Sequence, residues 1–108
     1  MSNFNEFIDT IEDGAKELAK KTLKDFQHEA EQDSQKFLED TKEDLKRWTL
    51  LLAEGKLTKD DFEWLVLSKK DVAEMIILKQ TGLGLVKIDR YRNAFFNLVI
   101  DSAFDIFI

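Results

Sequence analysis

LGLVKIDRYRNAFFNLVIDSAFDIFI, residues 83–108, is the stretch that decides the fold. Four of its polar residues recur every four positions, and they are Asn93, Asn97, Asp101 and Asp105. On a helix this spacing forms one narrow polar stripe, while from Ala94 onward every other position except Ser102 is apolar. We therefore expect the rest of the chain, or a second copy of it, to cover the remaining faces of this helix.

The composition favours long helices. The 108 residues include no proline and only four glycines, so there are few places where a helix would have to stop. The absence of cysteine excludes a disulfide framework and thiolate metal ligands. A formal charge of −6 disfavours non-specific attraction to nucleic acid. We predict one all-α domain over residues 1–108 with no nucleic-acid partner and, since no signal-peptide pattern is seen, a cytoplasmic location.

A helical seam predicts the first arm of the fold. Apolar or small residues recur in steps of three and four from Phe4 to Leu52, which indicates one helix over about 3–54. The mean spacing of ~3.7 predicts nearly straight packing rather than a tightly wound left-handed coiled coil. Between Gln27 and Asp44 the other faces are strongly acidic, which is typical of a solvated helix face. Recognition of a basic partner is the lesser alternative for this block.

The clearest local signals predict a turn over residues 55–58. Gly55 suits the left-handed position just past a helix, and Thr58 suits the N-cap of the next helix. The other residues of the predicted cap and hydrophobic staple are Leu57, Asp61 and Phe62. So short a connection makes the second helix, which starts near residue 59, an antiparallel neighbour of the first.

The second arm keeps its three–four spacing from Phe62 through Gly82–Gly84. We favour one continuous helix over about 59–107, kinked or locally loosened near the glycines, over a break into two helices. The fold is then an antiparallel hairpin of two long helices. One hairpin is too small to cover the C-terminal helix, so we expect it to self-associate into a four-helix bundle, most simply a homodimer. The predicted oligomer interface comprises Ile76, Leu83, Phe95, Phe96, Val99, Ile100, Phe104 and Phe107.

Few residues in the sequence could take part in catalysis or metal binding. The single histidine, His28, lies three residues after Asp25, as in half of a carboxylate-bridged metal site, but the second arm offers no second histidine. The serines have only this one histidine as a base, and Gly82-Leu83-Gly84 lacks the strand and lysine of a phosphate-binding loop. We expect no catalytic residue, no metal and no cofactor.

Two charged groups in the C-terminal stretch need an explanation. Lys87, Arg90 and Arg92 surround Tyr91, an arrangement that could stack on a nucleic-acid base, but we favour ion pairs with the acid-rich first helix that set register. Asp101 and Asp105 are expected to be solvated, because a buried pair needs a cation, a proton or a basic partner.

These patterns predict a non-enzymatic helical scaffold or protein-interaction module that acts as a homo-oligomer. Its partner is a second copy or another helical protein. One alternative is a peripheral membrane protein using the apolar C-terminal helix, although that helix is too short to span a bilayer and lacks flanking basic residues. The other alternative is a small acidic inhibitor or immunity-type protein that covers a basic active site.

Overall fold

The computed structural model describes residues 3–69 and 73–108, and every regular element within them is helical, which confirms the all-α prediction. A short 3₁₀ turn at Lys24–Phe26 separates the first two helices. The helices are α1 (Asn3–Thr22), α2 (Gln27–Ala53), α3 (Lys59–Leu67), α4 (Ile76–Gln80) and α5 (Leu85–Phe107).

The first arm is not one helix, so the predicted helix over 3–54 is wrong. Leu23 leaves helical geometry at φ −134° and ψ 55°, and the 3₁₀ turn that follows sends the chain back along α1. The reversal is favoured because it buries the apolar face of α1, which an extended arm of fifty residues would leave largely in water. The residues of that face are Phe4, Phe7, Ile11, Ala15 and Ala19.

The second arm is broken as well, so the continuous helix predicted over 59–107 is also wrong. Gly82 adopts φ +85°, a left-handed conformation that glycine tolerates and that ends α4. The hydroxyl of Thr81 donates to the carbonyl of Leu78 at 2.6 Å and accepts the N–H of Leu83 at 3.2 Å, which stabilises the turn. Residues 70–72 of the predicted helix, including Val72 of its seam, lie outside the described residues.

The turn over residues 55–58 has the geometry that the sequence predicts. Gly55 adopts φ +73°, and the N–H of Lys56 donates to the carbonyl of Leu51 at 2.9 Å, as in a Schellman cap. The hydroxyl of Thr58 accepts the N–H of Asp61 at 3.0 Å and so caps α3. Two apolar residues anchor the turn in the core, and they are the buried Phe62 and the half-buried Leu57.

The core forms where α1, α2 and α3 pack against α5. Phe37 on α2 meets the rings of Phe95 and Phe96 edge-on, with centroids 5.6 and 5.2 Å apart. At the C-terminal end of α5, Phe107 meets Phe7 near the start of α1 at 5.5 Å, so α1 and α5 run antiparallel. The aromatic rings therefore tie three helices into one core.

Candidate interaction surface

Half of the predicted oligomer interface lies inside the single chain. Phe95, Phe96 and Val99 are completely buried and Ile100 is nearly so, because α1 and α2 both pack against α5, where a simple hairpin would supply one partner helix. These four residues were assigned to an oligomer interface because one hairpin would leave them uncovered, and their burial within a single chain removes that reason. The other four predicted residues keep some surface, with Ile76 exposed and Leu83, Phe104 and Phe107 half-buried.

The polar stripe of α5 faces water. Asn93, Asn97, Asp101 and Asp105 are all exposed in the structure, which confirms the solvated alternative for the two aspartates. Ser102, the one polar residue outside that stripe from Ala94 onward, is buried. From Ile88 onward the apolar faces of α5 thus pack largely against the protein, while the narrow polar stripe stays in water.

A carboxylate that we expected in the solvated acidic block is buried instead. Asp33 on α2 is only 5% exposed, and its two oxygens accept the backbone N–H groups of Ile77 at 3.1 Å and Leu78 at 2.8 Å. Burial raises the pKa of Asp33, while the two N–H donors act in the opposite direction. This residue therefore has a structural role at the start of α4, which the sequence pattern does not reveal.

Tyr91 is also buried, so it cannot stack on a base as one alternative required. Its hydroxyl lies 2.6 Å from that of Ser34 and 3.4 Å from the carbonyl oxygen of Ala30. Burial raises the pKa of Tyr91 to about 12. The pair is a satisfied polar contact within the core between α2 and α5.

The basic residues around Tyr91 do not pair with the first arm, contrary to our expectation. Arg92 pairs with Asp89 of its own helix at 3.2 Å. Lys87 and Arg90 are exposed and form no ion pair with any described residue. These two cations therefore remain available at the protein surface.

The candidate groups for metal binding and catalysis are His28 with Asp25, and the serines. Over residues 3–69 and 73–108, no group of three or more histidine and carboxylate side chains could hold a metal ion. Asp25 and His28 are both exposed, and the Ser34 hydroxyl is engaged by Tyr91 rather than by a base.

The most distinctive surface lies at the end of the bundle where α1 ends and α2 and α5 begin. There the 3₁₀ turn and the turn between α4 and α5 surround a shallow depression of about 720 Å³. Leu85 and Val86 stand beside it and are 64% and 66% exposed. We call this region the turn surface, and its side chains are Phe26, Leu83, Leu85, Val86, Lys87 and Arg90.

Local structure explains why the turn surface stays open. Gly82 ends α4, and α5 starts immediately after Gly84, so the first turn of α5 projects its side chains before the helix meets its packing partners. Ile88 is the first residue of α5 that is buried. The sequence does contain a signal for this break, because Gly-Leu-Gly is a helix-breaking segment. The unbroken periodicity of the second arm, however, favours a continuous helix.

Among the described residues, no helix is both long and apolar enough to cross a lipid bilayer. Comparison of the chain with protein-family models, with curated proteins and with solved structures found no match. The chemistry of the protein surface is therefore the guide to its function.

Proposed function

We propose that the protein is a non-enzymatic docking module that contacts its partner through the turn surface. The observation that carries this proposal is the exposure of two adjacent large aliphatic residues, Leu85 and Val86, beside the half-buried Phe26 and Leu83. Contiguous apolar surface of this kind is typical of interaction sites, whereas single exposed apolar residues are common on any protein. The compact core supports a recognition role because it holds the surface on fixed helices.

A second copy of the chain is not the partner that we favour for the turn surface. Four of the predicted interface residues have their surface occupied within one chain. A symmetric pairing of two turn surfaces would also bring Lys87 and Arg90 towards their own copies, and like charges would oppose it. We therefore favour a partner other than a second copy at this site.

A site-specific photo-crosslink tests the docking role in cells. A benzophenone amino acid at position 86 should give crosslinked adducts, because the proposal places Val86 in contact with the partner. The matched control is position 50, since Leu50 is also a large aliphatic residue and is 58% exposed, but it lies near the other end of α2.

The identity of the adduct separates the outcomes. Adducts with protein, lipid or a second copy at position 86, with few at position 50, support docking through the turn surface. Equal yields at the two positions, or no adduct at position 86, would overturn the proposal.

A further inference from the structure

We infer that the partner of the turn surface is an anionic lipid bilayer, on which the protein docks end-on. This inference rests on the docking function proposed above and specifies its partner. It concerns a different surface from the C-terminal face of α5, whose rings Phe95 and Phe96 are buried and unavailable to lipid.

The charge around the turn surface is opposite in sign to that of the whole protein. Residues 20–29 and 79–90, which flank it, contain six basic and three acidic side chains, a formal charge of +3 in a chain that carries −6. The rest of the chain therefore carries −9. The six basic residues are all exposed, and they are Lys20, Lys21, Lys24, Lys79, Lys87 and Arg90.

This separation of charge orients the molecule at an anionic surface. The basic end is attracted, while the remaining surface is repelled, so contact is favoured at one end only. Lys87 and Arg90 form no ion pair with any described side chain, so binding does not require internal pairs to be broken. Leu85 and Val86 line the same depression as these cations and are placed to enter the interface below the headgroups.

The size of the contact favours a bilayer over a folded protein partner. Six side chains form the turn surface, whereas each side of a stable protein interface usually involves about 20–30 residues. A stable protein interface usually buries roughly 800 Å² on each partner. Interfacial lipid binding has a smaller requirement, because a few inserted aliphatic side chains and several basic residues act together.

Co-sedimentation with vesicles tests the inference. The full chain should bind vesicles of phosphatidylcholine mixed with phosphatidylserine, bind pure phosphatidylcholine vesicles weakly, and dissociate at high salt. Replacing Lys87 and Arg90 together by glutamine should weaken binding about 25-fold, since each basic side chain near an anionic leaflet changes partitioning about fivefold. Replacing Leu85 by serine should weaken it about tenfold through lost insertion.

The control variants change the same residue types away from the turn surface. Leu50→Ser and the double variant Lys42→Gln and Lys46→Gln should bind as the wild type does, because these exposed residues lie further along α2. Circular dichroism and thermal melting should show that all variants remain folded. These controls separate a local binding site from a general effect of hydrophobicity or charge.

Three results would overturn the inference: no binding to the anionic vesicles, equal binding to neutral vesicles, or equal losses in the control variants. Protein adducts at position 86 combined with no vesicle binding would leave the docking function standing and replace the lipid by a protein partner. The absence of any adduct at position 86 would remove both proposals.

Discussion

The carboxylate of Asp33 on α2 accepts the backbone N–H of Leu78 on α4 at 2.8 Å, and so joins two helices through residues 45 positions apart in sequence. Its other oxygen accepts the N–H of Ile77 at 3.1 Å. Met75, just before α4, provides no side-chain cap and adopts a left-handed φ of 53°, which is unfavourable for a residue with a side chain. The start of α4 is therefore held by a residue from another helix.

Removing this carboxylate should destabilise the fold. Asp33→Ala leaves two N–H groups near the core without an acceptor, and we expect a loss of about 2–3 kcal/mol in the free energy of unfolding. Asp33→Asn, whose amide oxygen still accepts one N–H, should lose less, about 1 kcal/mol. Urea denaturation measures both. Asp40→Ala, an exposed aspartate of the same helix, is the control, and a similar loss there would contradict the proposed role of Asp33.

The pH dependence of stability should have opposite signs for Asp33 and Asp44. Burial raises the pKa of Asp33 above 3.8, so its stabilising contribution is full below that pH and is lost as the pH rises through the folded-state pKa. The hydrogen bond from Lys69 lowers the pKa of Asp44, so its contribution is present above pH 3.8 and is lost as the pH falls through the folded-state pKa.

Unfolding free energies from acid to neutral pH will test this difference. The advantage of the wild type over Asp33→Asn should shrink as the pH rises, and its advantage over Asp44→Asn should grow. Parallel curves for the two variants would show that the assigned environments are wrong.

Tyr91 should titrate abnormally, and it can be followed alone because it is the only tyrosine. Its pKa is raised from 10.0 to about 12 by burial, so the neutral phenol is favoured in the folded chain. The associated stability is present below pH 10 and is lost as the pH rises towards 12. An absorbance titration should give a midpoint near 10 in concentrated urea and a much higher one in buffer. A native midpoint near 10 would place the ring in solvent.

The cap of α3 should have a measurable effect on stability. Thr58→Ala removes the hydroxyl that accepts the N–H of Asp61, and should cost about 1 kcal/mol. Thr58→Ser keeps the acceptor and should change stability by only a few tenths. Chemical denaturation of both variants provides the comparison, and equal losses would mean that the side-chain oxygen is not what stabilises this turn.

The turn at residues 55–58 could be predicted from the sequence because its interactions are local. Gly55 and Thr58 act within three or four residues of their own positions, so their identities are sufficient to indicate the cap. The role of Asp33 could not be predicted in this way, since it accepts hydrogen bonds from N–H groups that lie more than forty residues later in the sequence. A sequence pattern that describes one helix at a time cannot show such a contact.

The turn surface was missed for a related reason. The periodicity of the second arm passes through Gly82–Gly84 without a change of phase, so it predicts that Leu85 and Val86 lie within a continuous helix. The structure breaks that helix, and both side chains are exposed at the start of α5. The choice between a continuous and a broken helix depends on contacts with residues distant in sequence, and the local spacing of apolar residues does not contain that information.

The reversal at Leu23 is open to a direct test, because the continuous and reversed chains place the same two residues at very different separations. In one helix from residue 3 to 54, Thr10 and Lys42 would lie about 48 Å apart, at ~1.5 Å per residue. In the structure both residues line one surface depression between α1 and α2. The chain has no cysteine, so cysteines at these exposed positions can carry paired spin labels without further changes.

Strong dipolar broadening between the two labels is expected for the reversed chain. A second pair at Lys42 and Lys21 provides the control, since both are exposed and Lys21 lies near the opposite end of α1. Their coupling should be weaker than that of the first pair, although they are closer in sequence. In a continuous helix the order would be inverted, with the second pair nearer, at about 32 Å by the same rise per residue. The inverted order would show that α1 and α2 form one extended helix in solution and that the core described above is not the native one.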